Sequence, residues 1–276
     1  MNTGQRYKMG IMQGRLLPKY KDSYQVFPST TWENEFEIVS KCGFTEIELL
    51  FDIDSYAENP LMNSAGRERI VRLSSAWMIN PSSICADFFK KYGFYDRYPR
   101  AKDSSVVVLE RLIEACGEIC CKKILIPFLE ETEIMSDSDE DNICRVVGAT
   151  HKKLDEYGVS LCFETSLTWE KSISLMKKIN HPQIKIYFDT GNCVQYGFDP
   201  AADLINLSKW IGGIHIKDKN GRGENVILGS GLVDFNAFFQ SLEKTDYADS
   251  LVMETTMGED PVATARMHLK YIKSFF

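Results

Sequence analysis

The chain has 276 residues, 44% of them hydrophobic, and a formal net charge of −7, a length that suits one large core or two smaller ones. The acidic balance argues against a nucleic-acid surface, because neutralising phosphates takes clustered Lys and Arg. All apolar runs are shorter than ten residues and the N-terminus lacks an extended apolar segment, so neither a membrane span nor a secretory signal is expected, and the default home is cytoplasmic.

From end to end, strand-like apolar runs alternate with amphipathic stretches. In chain order they are KMGIMQ (8–13), a helix over 31–42, TEIELLF (45–51), a helix over 64–77, SSICADF (82–88), and a helix over 104–120. There follow KKILIPF (122–128), a helix over 138–157, VSLCFE (159–164), a helix over 169–180, IKIYFD (184–189), and a helix over 200–209. IGGIHIK (211–217), a helix over 235–244, SLVMET (250–255) and a helix over 261–275 complete the series. Gly43 and Gly158 stand where a helix must stop, since glycine takes the left-handed cap conformation at low cost. Asp199 before Pro200 reads as an N-cap with proline in the first helical position.

Continuous apolar runs indicate strands covered on both faces, as in a parallel sheet wrapped by helices. Eight such units predict an α/β protein, a (β/α)8 TIM barrel of the usual ~250-residue size. The alternative, a doubly wound open sheet, lacks a GxGxxG after the first strand. No linker or low-complexity tract divides the chain, so residues 1–276 are expected to form a single domain. The acidic stretch 131–142 reads as a solvated loop. The eight cysteines are scattered, and Cys85, Cys162, Cys193 and the group Cys116, Cys120 and Cys121 read as small buried hydrophobes rather than disulfides or a metal site.

Four metal-competent side chains lie at or beside the ends of the last four strand runs: Glu164, Asp189, His215 and Glu254. In a barrel the site gathers at the carboxyl ends of the strands. Each residue alone reads as well as a helix cap, an ion-pair partner or a satisfied core group. Together they read differently, because charged groups on adjacent buried strands repel and desolvate one another unless a cation compensates them. Three carboxylates and an imidazole suit one divalent metal ion, Mn²⁺, Co²⁺, Mg²⁺ or Zn²⁺, in a site open to substrate oxygens.

The motifs FET, FDTGN, GGIHIKD, GSGLVDF and VMET follow one another over 159–256. On these residues the chain resembles the xylose-isomerase-like TIM barrel superfamily of sugar isomerases and epimerases. The run IYFDTGN followed by HIKDKNGRGENVILGSGLVDF is similar to ketose 5-phosphate 3-epimerases of the L-xylulose/L-ribulose type. The resemblance implies an isomerase in which Glu164, Asp189, His215 and Glu254 hold the metal and Glu164 and Glu254 also act as the acid/base pair. Its implied reaction is C3 epimerisation of a ketose or ketose phosphate through an enediolate, with a small-molecule carbohydrate as partner. A homodimer is compatible with the habits of similar barrels. The same constellation also suits an aldose/ketose isomerase or an inosose-dehydratase-like lyase, and a non-catalytic sugar-binding barrel is the reading from another class. An endonuclease IV type of DNA-repair barrel needs many His ligands, and the chain has only His151, His181, His215 and His268.

Further candidates surround that set. Asn192 stands where relatives acting on free ketohexoses carry a histidine, and it can orient a hydroxyl. Glu170 is either a substrate-binding or His-orienting carboxylate or an ordinary first-turn acid. The loop Lys217 to Gly231 carries Lys217, Asp218, Lys219, Arg222 and four glycines, which suits a phosphate. Lys217 is its best direct substrate contact and Arg222 a second. From MQGRLLP (12–18), Gln13 and Arg15 are expected to bind a hydroxyl and an anion, unless Arg15 pairs with a barrel acid such as Glu48. Phe88, Phe89 and Tyr92 are candidates for an apolar wall and 90–103 for a lid, whereas Trp32, Trp77, Trp169 and Trp210 read as packing.

Overall fold

The apolar runs of the sequence become eight parallel strands that close on themselves in sequence order. The computed structural model describes residues 6–19, 25–54, 56–95 and 99–276, with backbone only for 99–104. The strands are β1 (Lys8–Met12), β2 (Glu46–Leu50), β3 (Asn80–Cys85), β4 (Lys123–Phe128), β5 (Ser160–Thr165), β6 (Ile184–Asp189), β7 (Ile211–Ile216) and β8 (Ser250–Met253). β1 pairs with both β2 and β8, which closes the barrel. Around it run α1 (Trp32–Cys42), α2 (Ser64–Trp77), α3 (Phe88–Lys91), α4 (Pro99–Glu118), α5 (Asp137–Tyr157), α6 (Trp169–Ile179), α7 (Thr190–Gln195), α8 (Pro200–Leu207), α9 (Phe235–Leu242) and α10 (Pro261–Lys273). The (β/α)8 architecture read from the alternation is the observed one.

Two short helices were not expected, α3, two residues after β3, and α7, directly after β6. Among the expected helices the largest boundary change is at α4, which begins at Pro99 rather than 104. Gly43 and Gly158 take positive φ, 90° and 59°, and close α1 and α5. Asp199 caps α8 by accepting from the Ala201 and Ala202 N–H groups. The acidic stretch 131–142 is not a loop throughout: from Asp137 onward it is the first turn of α5, capped by Ser136, where acids are favoured by the helix dipole.

Alternation along β2 shows how the strands build the site. Glu46, Glu48 and Leu50 share one face and Ile47 and Leu49 the other; Leu50 packs in an interior layer with Met12, Cys85, Leu125, Cys162 and Tyr187, while Ile47 and Leu49 join the main core under the helices. Glu48 precedes Leu50 on that interior face of β2. All eight cysteines are free; Cys85, Cys116, Cys121 and Cys162 are buried as expected, but Cys193 is only partly buried and Cys120 is exposed, at φ 59°. Among the described residues no helix is long and apolar enough to cross a membrane.

Candidate active site

Strands β5, β6, β7 and β8 bring Glu164, Asp189, His215 and Glu254 to one buried point, with one ligand atom from each lying within 4.8 Å of the others. Atoms that share a cation at ~2.0–2.6 Å lie within roughly 5 Å of one another, so the spacing is that of a single-ion site. Three of the four residues have one polar atom tied by the protein and another turned inward. Asp189 Oδ1 caps α7 by accepting from the Asn192 N–H at 2.7 Å, His215 Nε2 lies 2.7 Å from Glu48 Oε1, and Glu254 Oε1 accepts from Arg15 at 3.2 Å. The inward atoms are Asp189 Oδ2, His215 Nδ1 and Glu254 Oε2.

His215 Nδ1 lies 2.9 Å from Glu254 Oε2 and 3.6 Å from Asp189 Oδ2; neither Nδ1 nor Asp189 Oδ2 makes a well-directed hydrogen bond, and Asp189 Oδ2 is held by its ion pair with Lys217. A buried ring nitrogen left in this way is costly, and a cation shared with the carboxylates would satisfy it. Hard oxygen donors with one imidazole match such an ion. Lys217 Nζ touches the same atoms, 3.0 Å from Asp189 Oδ2 and 2.7 Å from Glu254 Oε2. Its backbone is locked by Thr190, whose Oγ1 accepts from Lys217 N at 2.9 Å. The FDTGN glycine makes room for it: a Cβ on Gly191 would stand 2.7 Å from Lys217 Cγ.

These charges divide the carboxylates. Burial pushes Glu164 up to about 8, reinforced by the neighbouring Asp189 charge. Burial would raise Glu254 too, but Lys217 and His215 outweigh it and hold the carboxyl well below its ordinary range. Asp189 is lowered for the same reason, chiefly by Lys217 against its burial. Burial disfavours protonated His215, but Glu48 and Glu254 prevail and raise it well above its ordinary value.

The remaining candidates separate into two groups. Arg15, Asn192 and Lys217 touch the central residues directly: Asn192 Nδ2 donates to Glu164 Oε1 at 2.8 Å. Arg15 is paired with Glu254 rather than with Glu48, and it also donates to Gln25. Gln13, just past β1, is buried and its Oε1 accepts from Leu50 N at 3.0 Å. Glu170, by contrast, is exposed in the first turn of α6, where its charge acts on Asp203. Arg222 is 81% exposed and pairs with Glu224.

The glycine-rich loop is organised by an internal anion. Gly229 and Gly231 both donate to Asp218 Oδ2 at 2.9 Å, and Val233 donates to Asp218 Oδ1. Two backbone donors expected to face a phosphate are therefore already engaged. Phe88 and Phe89 are buried, Phe88 against Phe51 and Phe89 against Phe94, which in turn packs on Phe128. Of the lid expected over 90–103, residues 96–98 lie outside the described residues.

Sequence reasoning placed Glu48 near Arg15 and missed its partner across the barrel, His215. The E-I-E pattern of β2 was the available signal, since two acids on one strand face need buried partners.

The family model of the xylose isomerase-like TIM barrel matches residues 36–275. The chain belongs to that family. It is 29% identical to the L-ribulose-5-phosphate 3-epimerase UlaE of Salmonella paratyphi A over 88% of this chain and 89% of that protein. Two solved structures share the fold: 3-keto-D-glucoside 4-epimerase YcjR from E. coli, with a TM-score of 0.76, 17% identity and coverage of 97% of this chain and 99% of that one, and an L-ribulose 3-epimerase, with a TM-score of 0.76, 16% identity and coverage of 98% and 94%. By name these three proteins are sugar epimerases, which are isomerases.

Proposed function

We propose that the chain is a divalent-metal-dependent isomerase that epimerises a ketose, preferentially as its 5-phosphate, at C3. One observation carries this reading: Glu164 and Glu254, from β5 and β8, are two carboxylates from different strands that belong to a single buried cluster with Asp189 and His215. Two carboxylates brought to one point from different strands suit opposite roles in proton transfer. Glu254 takes the C3 proton as general base, and Glu164 returns a proton to the opposite face as general acid. When bound, a divalent cation held by Glu164, Asp189, His215 and Glu254 supplies Lewis-acid polarisation of the C2 carbonyl and offsets the negative charge developing beside it. Lys217 and Arg15 keep Glu254 ionised, and Lys217 Nζ is placed to donate to a substrate oxygen. Asn192 orients Glu164 and Asp189 together through its side chain and backbone. Gln13 aligns the ends of β1 and β2 beside them.

The name of the Salmonella relative supports a phosphorylated substrate. With the Gly229 and Gly231 donors held by Asp218, side-chain cations are the better phosphate ligands. Lys90, on α3, and Lys219, after β7, both feel the charges of Glu164 and Glu254. The test is a steady-state comparison of matched ketoses and ketose 5-phosphates with the parent, Glu164→Gln and Glu254→Gln. Each substitution should abolish epimerisation; parental turnover in either variant overturns the two-base assignment. A new aldose, or loss of water, would move the assignment to an isomerase or a dehydratase.

A further inference from the structure

Glu48 is fully buried inside the barrel and belongs to no part of the four-residue cluster, yet both of its oxygens are engaged. Oε1 lies 2.7 Å from His215 Nε2. Oε2 accepts from Ser83 Oγ at 2.5 Å and from Tyr187 OH at 2.8 Å. The Tyr187 ring also packs against the His215 imidazole, with centroids 4.5 Å apart. β2, β3 and β6 thus each contribute one side chain to a frame around a single ring carried by β7.

A buried carboxylate costs several kcal/mol unless its acceptors are filled, and this one is filled by two neutral hydroxyls and one ring N–H. With Oε2 occupied on the far side, Oε1 is the acceptor that faces the imidazole. A proton on Nε2 leaves the Nδ1 lone pair for the inward position, because in a neutral imidazole only one nitrogen carries hydrogen.

We infer that Glu48, clamped by Ser83 and Tyr187, is a positioning residue that fixes His215 as the Nε2–H tautomer and aims Nδ1 at the metal. This rests on the metal reading of the cluster. Glu48 touches neither the substrate nor the cation and acts only through His215. Removing such a partner typically lowers metal affinity 10- to 100-fold. Glu48→Gln keeps the shape but can turn its amide N–H towards Nε2, which favours the tautomer that cannot bind through Nδ1.

The experiment measures Mn²⁺ affinity by calorimetry for the parent, Glu48→Gln, Glu48→Asp and Tyr187→Phe, with near-ultraviolet circular dichroism confirming the fold. Nitrogen-15 NMR of the four histidines is recorded on zinc-loaded protein. The expected result is a 10- to 100-fold weaker Mn²⁺ complex for Glu48→Gln, with smaller losses for Glu48→Asp, which keeps the charge, and for Tyr187→Phe, which removes one clamp. His215 should show a zinc-bound Nδ1 and a protonated Nε2. Parental affinity in a folded Glu48→Gln, or zinc bound through Nε2, overturns the inference while leaving the metal site standing. If Glu48→Gln does not fold, parental affinity in Tyr187→Phe does the same. A parent protein that binds no Mn²⁺ removes both.

Discussion

Asn192 donates its side-chain amide to Glu164 at 2.8 Å. Its own backbone N–H is held by Asp189 at 2.7 Å, so the amide is fixed by the same turn that orients a second member of the cluster. Hydrogen bonds to charged groups contribute about 1.5–3 kcal/mol. Asn192→Ala should therefore lower kcat/KM for epimerisation roughly 10- to 100-fold. Asn192→Asp should cost more, because it sets a like charge beside Glu164. Steady-state kinetics at saturating metal checks both, and an unchanged kcat/KM in Asn192→Ala would detach this contact from catalysis.

Metal binding should tighten with rising pH. Burial, reinforced by the Asp189 charge, raises Glu164, and the Glu48 and Glu254 charges raise His215 against its burial, so that both protonated forms are favoured, whereas ligands must shed their protons to bind. Calorimetry in buffers of different ionisation enthalpy should show protons released on Mn²⁺ binding, and affinity increasing between roughly pH 6 and 8. Binding confined to the folded state also raises its stability, by about 2.7 kcal/mol at a hundredfold excess over Kd. Asp189→Ala should remove that gain in thermal unfolding, as should a chelator.

Glu35, on α1, governs stability from beneath the β1 loop. It accepts from Gly14 N at 2.6 Å, and burial raises it to about 8 from an unfolded value of 4.5. A carboxyl raised on folding binds its proton more tightly in the native state. Its stabilising contribution is full below pH 4.5 and declines as pH rises through about 8, with the linkage slope favouring acid. Glu35→Gln should flatten this part of the profile and raise stability at pH 8 by a few kcal/mol. Urea unfolding at pH 5 and pH 8 measures it, and equal parent and variant profiles would contradict the buried-acid account.

Lys90 and Lys219 should separate phosphate recognition from chemistry. Lys90→Ala and Lys219→Ala are expected to raise KM for ketose 5-phosphates by about tenfold or more, the loss of one charge-assisted contact. Turnover of free ketoses should change little. Equal losses on both substrate forms would place these lysines in structural roles.

The fold was legible because eight apolar runs alternate with amphipathic stretches, and both properties are local. Glu164, Asp189, His215 and Glu254 were legible because each sits at the end of such a run. What could not be read lies across the barrel. Glu48 and His215 are 167 positions apart and meet through the interior, where the relative stagger of β2 and β7 decides the contact; register shifts after Ile47 and Ile186 are invisible in the pattern. The role of Asp218 was hidden differently. Its neighbours Gly229 and Gly231 looked like an anion cradle, and the anion proved to be the chain's own side chain. The short helix α7 escaped because Gly191 lowers helix propensity, although a helix cap was one of the readings open for Asp189, which starts it.

The central claim, that Glu164 and Glu254 exchange a proton at C3 of a ketose beside a bound divalent ion, is tested most directly in deuterated water. The Mn²⁺-supplemented protein is incubated with a ketose 5-phosphate, the ion is removed with chelator, and the product is examined by NMR. The account predicts the C3 epimer carrying one deuterium at C3, with no label elsewhere and none without metal. An epimer formed without deuterium at C3, or label confined to another carbon, would contradict it.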